Sequence, residues 1–558
     1  KNINGATTFD RNVTFRLMTD YSPYTKTLAS TQAIGKKFAI LDDVQDNAFT
    51  VDHSKIKMTA AGQDVKNLFD MYHVLSDKGR TDAINKILKE LNLNPKGEFY
   101  LWVAKDSKSF YQNYVKPNKN VTVDLPAKLL VKAGEIVKND FKQIDFGNSY
   151  QSNLVTVEVP NVKPEKHALD RTGKKVLDGK EVQLGDYIQY FLNGVTVPEK
   201  HDTLYQYDGL DKLDTKHDRY TGNWKGIIKG TEYTAEKELV LPYDVTLKNG
   251  KVIKAGDKIA KGSTYAFTFE FNQGTNSEFI KKLVTVKWDA KGGQWSYVIN
   301  QDFLNSLGVK GTFDADFYIE VERIETGDKI ENTFINIVNK QEMTAKVITR
   351  TPEPPKPKHP EKHALDKTGQ KVLDGKEVQM GELIQYLLDG ATVPERHHTL
   401  YQYDGLDKLD MKHDRYTGNW KGVIKGTEYT AEKDLTLPYD VILKDGKLIK
   451  AGDKIAKGST YAFTFEFNQG TNSEFIKKLV TIKWNEKTGV WSYVINQDFL
   501  NSLGVKGTFD ADFYIEVERI AAGEVENTFV NIVNGQEMIA KVTTRTPEPP
   551  KPEPKEPR

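Results

Sequence analysis

Tyr265-Ala-Phe-Thr-Phe-Glu-Phe271 is the stretch on which the fold turns. Aromatic rings at every second position give an extended segment one apolar face, the pattern of a half-buried strand; a helix would scatter them around its axis. Outward from it, Leu283-Val-Thr-Val-Lys-Trp288 and Phe317-Tyr-Ile-Glu-Val-Glu-Arg323 alternate in the same way. Asn249-Gly250 stands between apolar runs where a hairpin turn is expected. Short helical turns are expected only around Ser277–Leu283 and Gln301–Leu307. Many strands with few helices predict an all-β sandwich.

The whole unit is duplicated. Lys166–Arg350 recurs at Lys362–Arg545, in constant register until one residue is lost near the end. Lys261–Thr285 returns unchanged at Lys457–Thr481, Tyr297–Ile324 at Tyr493–Ile520, and Asp445-Gly446 replaces the Asn-Gly turn. A repeat this long is a domain, since solenoid periods are far shorter. Thr351-Pro-Glu-Pro-Pro-Lys-Pro-Lys-His-Pro360 lies between the copies, and a similar segment follows the second; such proline-rich chain favours stiff, extended polyproline II.

The first part differs. Leu68–Leu75 and Ala83–Leu91 have helical spacing, flanked by strand-like Lys37–Leu41 and Val155–Val159. The expected organisation is a sandwich with helical insertions at 1–160, a second sandwich at 161–350, a linker at 351–360, a third sandwich at 361–545 and a proline-rich tail at 546–558.

With 558 residues, 38% of them apolar, the chain has the material for three or four cores. Its 79 basic and 78 acidic side chains nearly cancel, so no long-range field gathers nucleic acid or an anionic membrane. There is no Cys, which removes disulfides, thiolate nucleophiles and thiolate metal sites together. An extracellular protein so composed must find its stability elsewhere. No Gly-x-Ser-x-Gly, His-Glu-x-x-His, phosphate loop or dinucleotide fingerprint is present.

Several segments, in order, resemble the C-terminal domains of the streptococcal antigen I/II adhesins. They are Phe146-Gly-Asn-Ser-Tyr-Gln-Ser-Asn153, Val162-Lys-Pro-Glu-Lys166, Leu204-Tyr-Gln-Tyr207 followed by Tyr220-Thr-Gly222, Glu331-Asn-Thr-Phe-Ile-Asn336, and the Thr-Pro-Glu-Pro-Pro tails. The resemblance implies tandem immunoglobulin-like sandwiches (the DE-variant IgG-like fold) stacked between a distal adhesive head and the cell wall. It implies an extracellular, wall-anchored, monomeric protein, with the anchor signal outside this sequence. Its partners would be host salivary or matrix glycoproteins and other microbes, met mostly through regions outside this chain. The first module, starting at Lys1, is expected to be incomplete at its N-terminus.

The resemblance also implies an internal Lys–Asn isopeptide bond in each repeat, promoted by an acid. The matching residues are Lys166 and Asn332, and Lys362 and Asn527. The acid falls in Tyr207-Asp-Gly-Leu-Asp-Lys-Leu-Asp214 and its copy; Asp211 and Asp407 are favoured, with Asp208 and Asp404 as rivals. The residue types suit the chemistry. Burial lowers a lysine pKa and supplies the free amine, while a buried carboxyl stays protonated and can shuttle protons as ammonia leaves. In the first module Asp42 and Asp43 are candidate acids and Asn148 matches Asn332, but no lysine partner is evident.

Other signals compete. Asp214 and Asp218, with Asp410 and Asp414, lie in an acid-rich loop whose oxygen density suits Ca²⁺, although its spacing is not an EF-hand and a solvated acidic turn explains it equally. No cofactor is required. His397-His398 reads as surface histidine because the first copy has His201-Asp202 there. Ala83–Lys96 occupies the place where relatives carry a microbe-docking segment; the plainer reading is an amphipathic helix packed on its own sandwich. The functional alternatives are a module that itself binds glycoprotein or a partner microbe, and a carbohydrate-active enzyme using paired carboxylates.

Overall fold

The computed structural model describes residues 2–554 and 557; Lys1 and, in the proline-rich tail, Lys555, Glu556 and Arg558 lie outside them. The strands form three β-sandwiches along the chain.

In the second module one face is a seven-stranded sheet, in the order Glu165–Leu169, Tyr187–Asn193, Thr312–Arg323, Asp218–Thr234, Thr264–Asn272, Val245–Leu247, Val252–Ile253. The opposing sheet runs Val284–Asp289, Gln294–Ile299, Tyr207–Lys212, Gly327–Val338, Gln341–Thr351. All of these pairings are antiparallel. The aromatic alternation works as expected: Phe267, Phe269 and Phe271 are buried between the sheets. Gly250 takes the left-handed conformation (φ 91°) that the hairpin between Val245–Leu247 and Val252–Ile253 demands, and Gly446 repeats it at φ 90°. The short helices Glu278–Leu283 and Gln301–Ser306 lie where helical turns are expected. The third module repeats both sheets in the same strand order.

The first module has its own core. One sheet runs Asn148–Gln151, Lys142–Asp145, Ala39–Asp42, Phe99–Ala104, Phe69–Val74, and another is built around Val121–Leu129. The helical expectation for Leu68–Leu75 fails: Phe69–Val74 is a strand hydrogen-bonded along the fully buried Phe99–Ala104. The Asp82–Glu90 helix does form. Thr81 caps it by accepting from the Ile84 N–H at 3.2 Å, and Leu88 packs with Leu91, Phe99 and Leu101 in a satellite core.

Successive modules touch. Phe9 of the first belongs to the hydrophobic core of the second, and Thr7 bridges to His201. The second and third meet through charge instead. Arg171 of the second pairs with Glu432 of the third, which also receives Lys506 of its own module at 2.8 Å, while Arg396 of the third donates to Asp186 at 2.7 Å and to the Leu184 carbonyl. The Tyr187 ring lies against both the Arg171 guanidinium (4.0 Å) and Lys506 Nζ (4.5 Å).

Candidate functional site

A buried Lys–Asp–Asn cluster in each repeat

Lys166 lies on the first strand of the seven-stranded sheet, and alternation from Ala168 turns its side chain inward. Asp211 and Asn332 come from adjacent strands of the opposing sheet, in register with Asp211 opposite Phe334. The three meet inside the sandwich. Lys166 Nζ donates to Asp211 Oδ1 at 2.7 Å with both side chains wholly inaccessible, and Asn332 is buried next to Asp211. Asn332 Nδ2 also donates to the Lys212 carbonyl at 3.3 Å. The third module repeats the arrangement with Lys362 Nζ 2.9 Å from Asp407 Oδ1 and Asn527 beside them.

Burial drives this pair toward neutrality. It lowers the Lys166 pKa to about 8, although Asp211 pulls the other way, and it pushes the Asp211 carboxyl up against the opposing pull of Lys166. Lys362 and Asp407 shift in the same directions for the same reasons. Both shifts favour the uncharged forms, a free amine beside a protonated carboxyl, that amide formation would need. The Asp208 and Asp404 alternatives face the other way on their strands. Each is half-buried and takes a hydrogen bond from its neighbouring Gln206 or Gln402 at 2.9 Å, which corrects their standing as rivals.

The calcium candidates also need correction. Asp218 is buried and committed: Arg323 Nε donates to one oxygen at 2.7 Å and the Tyr190 hydroxyl to the other at 2.6 Å. Asp414 is held likewise by Arg519 and Tyr386. Asp214 and Asp410 instead pair with His217 and His413 at 2.8 and 2.9 Å. The acidic loop therefore does not converge on one point.

Sequence reasoning missed this Arg323 network. Arg323 also donates to the hydroxyls of Thr349 and Thr351, both at 2.6 Å, and Tyr190 presents its ring face 4.6 Å from Lys166 Nζ. The available signal was parity, because Phe313, Ala315, Phe317, Ile319 and Val321 all point inward and Arg323 continues their series. His201 and His397, expected at the surface, are buried; only His398 is partly exposed.

In the first module Asn148 and Asp43 are exposed, so the match to Asn148 is wrong. The buried amide is Asn139, which donates to Asp42 at 2.8 Å. Burial pushes the Asp42 carboxyl up to about 7. Lys166 and Lys362 are the buried lysines among the described residues, so this acid–amide pair has no lysine of that kind beside it.

Comparison with known proteins

Fold and buried clusters together define a chain of tandem immunoglobulin-like β-sandwiches. The family model for the cell surface antigen C-terminus matches residues 163–352 and again 359–547, and that for the antigen I/II C2 terminal domain matches 1–159. The chain belongs to the streptococcal antigen I/II family and represents its C-terminal region.

Among similar solved structures, the C-terminal domain of the Streptococcus pyogenes antigen I/II-family protein AspA is 28% identical, covering 63% of this chain and 95% of its own, with a TM-score of 0.49. The C-terminal domain of the Streptococcus agalactiae antigen I/II polypeptide BspA is also 28% identical, covering 63% and 96%, with a TM-score of 0.46. Among curated proteins, the aggregation substance of Enterococcus faecalis is 27% identical over 259 residues, which is 45% of this chain and 17% of that protein. The chain thus spans less than a fifth of the length of that relative.

Proposed function

We propose that this region is a force-transmitting stalk of a wall-anchored adhesin, stiffened by one Lys–Asn isopeptide bond in each of its last two modules. The observation that carries the reading is the burial of lysine, carboxyl and amide together at the same place in both repeats. In the step we infer, the neutral Lys166 amine attacks the Asn332 side-chain carbonyl carbon. The protonated Asp211 hydrogen-bonds the carbonyl oxygen and passes its proton to the departing nitrogen, and it recovers a proton from the amine. One C–N bond forms, one breaks, and ammonia leaves. The reaction runs once within one molecule, so the chain is not an enzyme in the turnover sense.

The bond ties the first strand of one sheet to the next-to-last strand of the other. On the loop-entropy expression used for disulfides, the closed loop raises the denatured state by about 5 kcal/mol, comparable with a domain's whole stability. A tie of this kind would give a cysteine-free surface protein a covalent resistance to shear. Binding of host glycoproteins or of other microbes is assigned to regions beyond this chain, in keeping with a family of cell-surface antigens.

Pulling single molecules by their ends tests this reading. Modules two and three should not lengthen by their Lys–Asn loops at forces that unfold ordinary domains, whereas Lys166→Ala should release the second module's full length. Extension of both modules in the wild-type chain would contradict it.

A further inference from the structure

We propose that Glu361, His363 and Asp389 form a surface site in the third module for a divalent metal ion of the zinc class. Glu361 and His363 stand two residues apart on the Glu361–Leu365 strand and therefore share a face, opposite to that of Lys362 between them. Asp389 lies directly across from Glu361 on the next strand. One ligand atom from each, an imidazole nitrogen and two carboxylate oxygens, falls within 4.8 Å of the others. His363 Nε2 is 3.2 Å from Glu361 Oε2.

Two further observations make this more than neighbouring charges. First, His363 is held from behind. Its Nδ1 is 2.7 Å from Asp374 Oδ2, and the other Asp374 oxygen accepts the Ala364 N–H at 2.7 Å. Asp374 on Nδ1 fixes the ring so that Nε2 is turned toward Glu361, the carboxylate–histidine arrangement that orients metal ligands. His398 is a contrast, since its two glutamates sit on opposite ring nitrogens (2.8 and 2.9 Å) and share no centre.

Second, the duplicated module supplies a control. Glu165, His167 and Asp178 repeat Glu361, His363 and Asp374, but Asn193 replaces Asp389. Asn193 Nδ2 donates to Glu165 Oε2 at 3.3 Å, so the second module satisfies its own acceptor. Asp389 has no such donor to offer. It faces Glu361 on one side and Asp512 on the other, a row of three carboxyl groups across three strands. Like charges directly opposite one another destabilise a sheet. A nitrogen ligand among carboxylates suits zinc and its transition-metal neighbours better than calcium, which prefers oxygen alone. Bound there, the ion would clamp the strand that carries Lys362 to its neighbour.

Zinc titration of the full chain by calorimetry tests the site by difference, with calcium titrated in parallel. Wild type should bind one more zinc ion than Asp389→Asn, a change that only imports the second module's own residue. Asn193→Asp should bind one more than wild type. Asp374→Ala should keep the stoichiometry and weaken binding roughly 10- to 100-fold, as expected for loss of an orienting carboxylate. Equal zinc uptake by wild type and Asp389→Asn would overturn the proposal. So would binding of calcium with no zinc heat.

Discussion

At the scale of the residue, the strongest consequences attach to fully buried polar groups. Asp211→Asn keeps the shape of the side chain but removes the proton carrier, so the second module should retain its ammonia while the third still loses its own. Asp208→Asn, facing the other way, should keep the full two-ammonia deficit measured against its own sequence mass; intact mass spectrometry separates the two. Lysine and asparagine were legible here only through family resemblance, because an isolated lysine at a strand start ordinarily reads as exposed. The choice of acid was legible in principle from parity: Tyr207, Gly209 and Asp211 share the inward side and Asp208 does not. The Arg323–Asp218 pair makes a separate prediction. Arg323→Ala leaves Asp218 buried beside Tyr190 with no countercharge, which should cost the second module about 3–5 kcal/mol. Urea unfolding followed by the Trp295 environment would measure it, and an unchanged midpoint would show that Asp218 is neutralised some other way.

At the scale of the element, the alternating strands were readable because one face of each is buried, and a period of two leaves little ambiguity. Leu68–Leu75 misled for a physical reason. A short apolar run suits a buried strand as well as a helix, and only the long-range pairing of Phe69–Val74 with Phe99–Ala104 decides between them. The Asp82–Glu90 helix was readable because its cap and its apolar stripe are both local. Leu88→Ala should destabilise the first module by about 2–5 kcal/mol through the cavity it leaves, and Thr81→Ala by about 1 kcal/mol through loss of the cap. Thermal denaturation of the pair, with the cap variant clearly the milder, would confirm that this helix packs on its own sandwich. A helix reserved for an external partner would tolerate Leu88→Ala.

At the scale of the whole molecule, the joints differ in kind and should respond differently to solvent. The joint between modules one and two uses Phe9 in an apolar core and should be insensitive to salt. That between two and three depends on the Arg171–Glu432 and Arg396–Asp186 ion pairs, so screening should loosen it. Burial alone would raise the Glu432 carboxyl, but Lys506 and Arg171 outweigh it and hold the group below its ordinary 4.5. A carboxylate with a lowered value stabilises the joined state above pH 4.5 and loses that contribution as pH falls through the lowered value. Small-angle scattering should therefore show an elongated particle at neutral pH that gains flexibility at one joint in acid or high salt. The contacts that cross the joints, Arg171 with Glu432 and Arg396 with Asp186, were not legible in the sequence, because each unites residues from separate modules. The duplication, by contrast, was plain from the repeat itself. The central claim remains the pair of covalent ties, and the intact mass of the purified wild-type chain tests it most directly. The mass should fall short of the sequence value by two ammonias, and by one in Lys166→Ala, measured against that variant's own sequence mass. A wild-type mass equal to the sequence value would contradict the account.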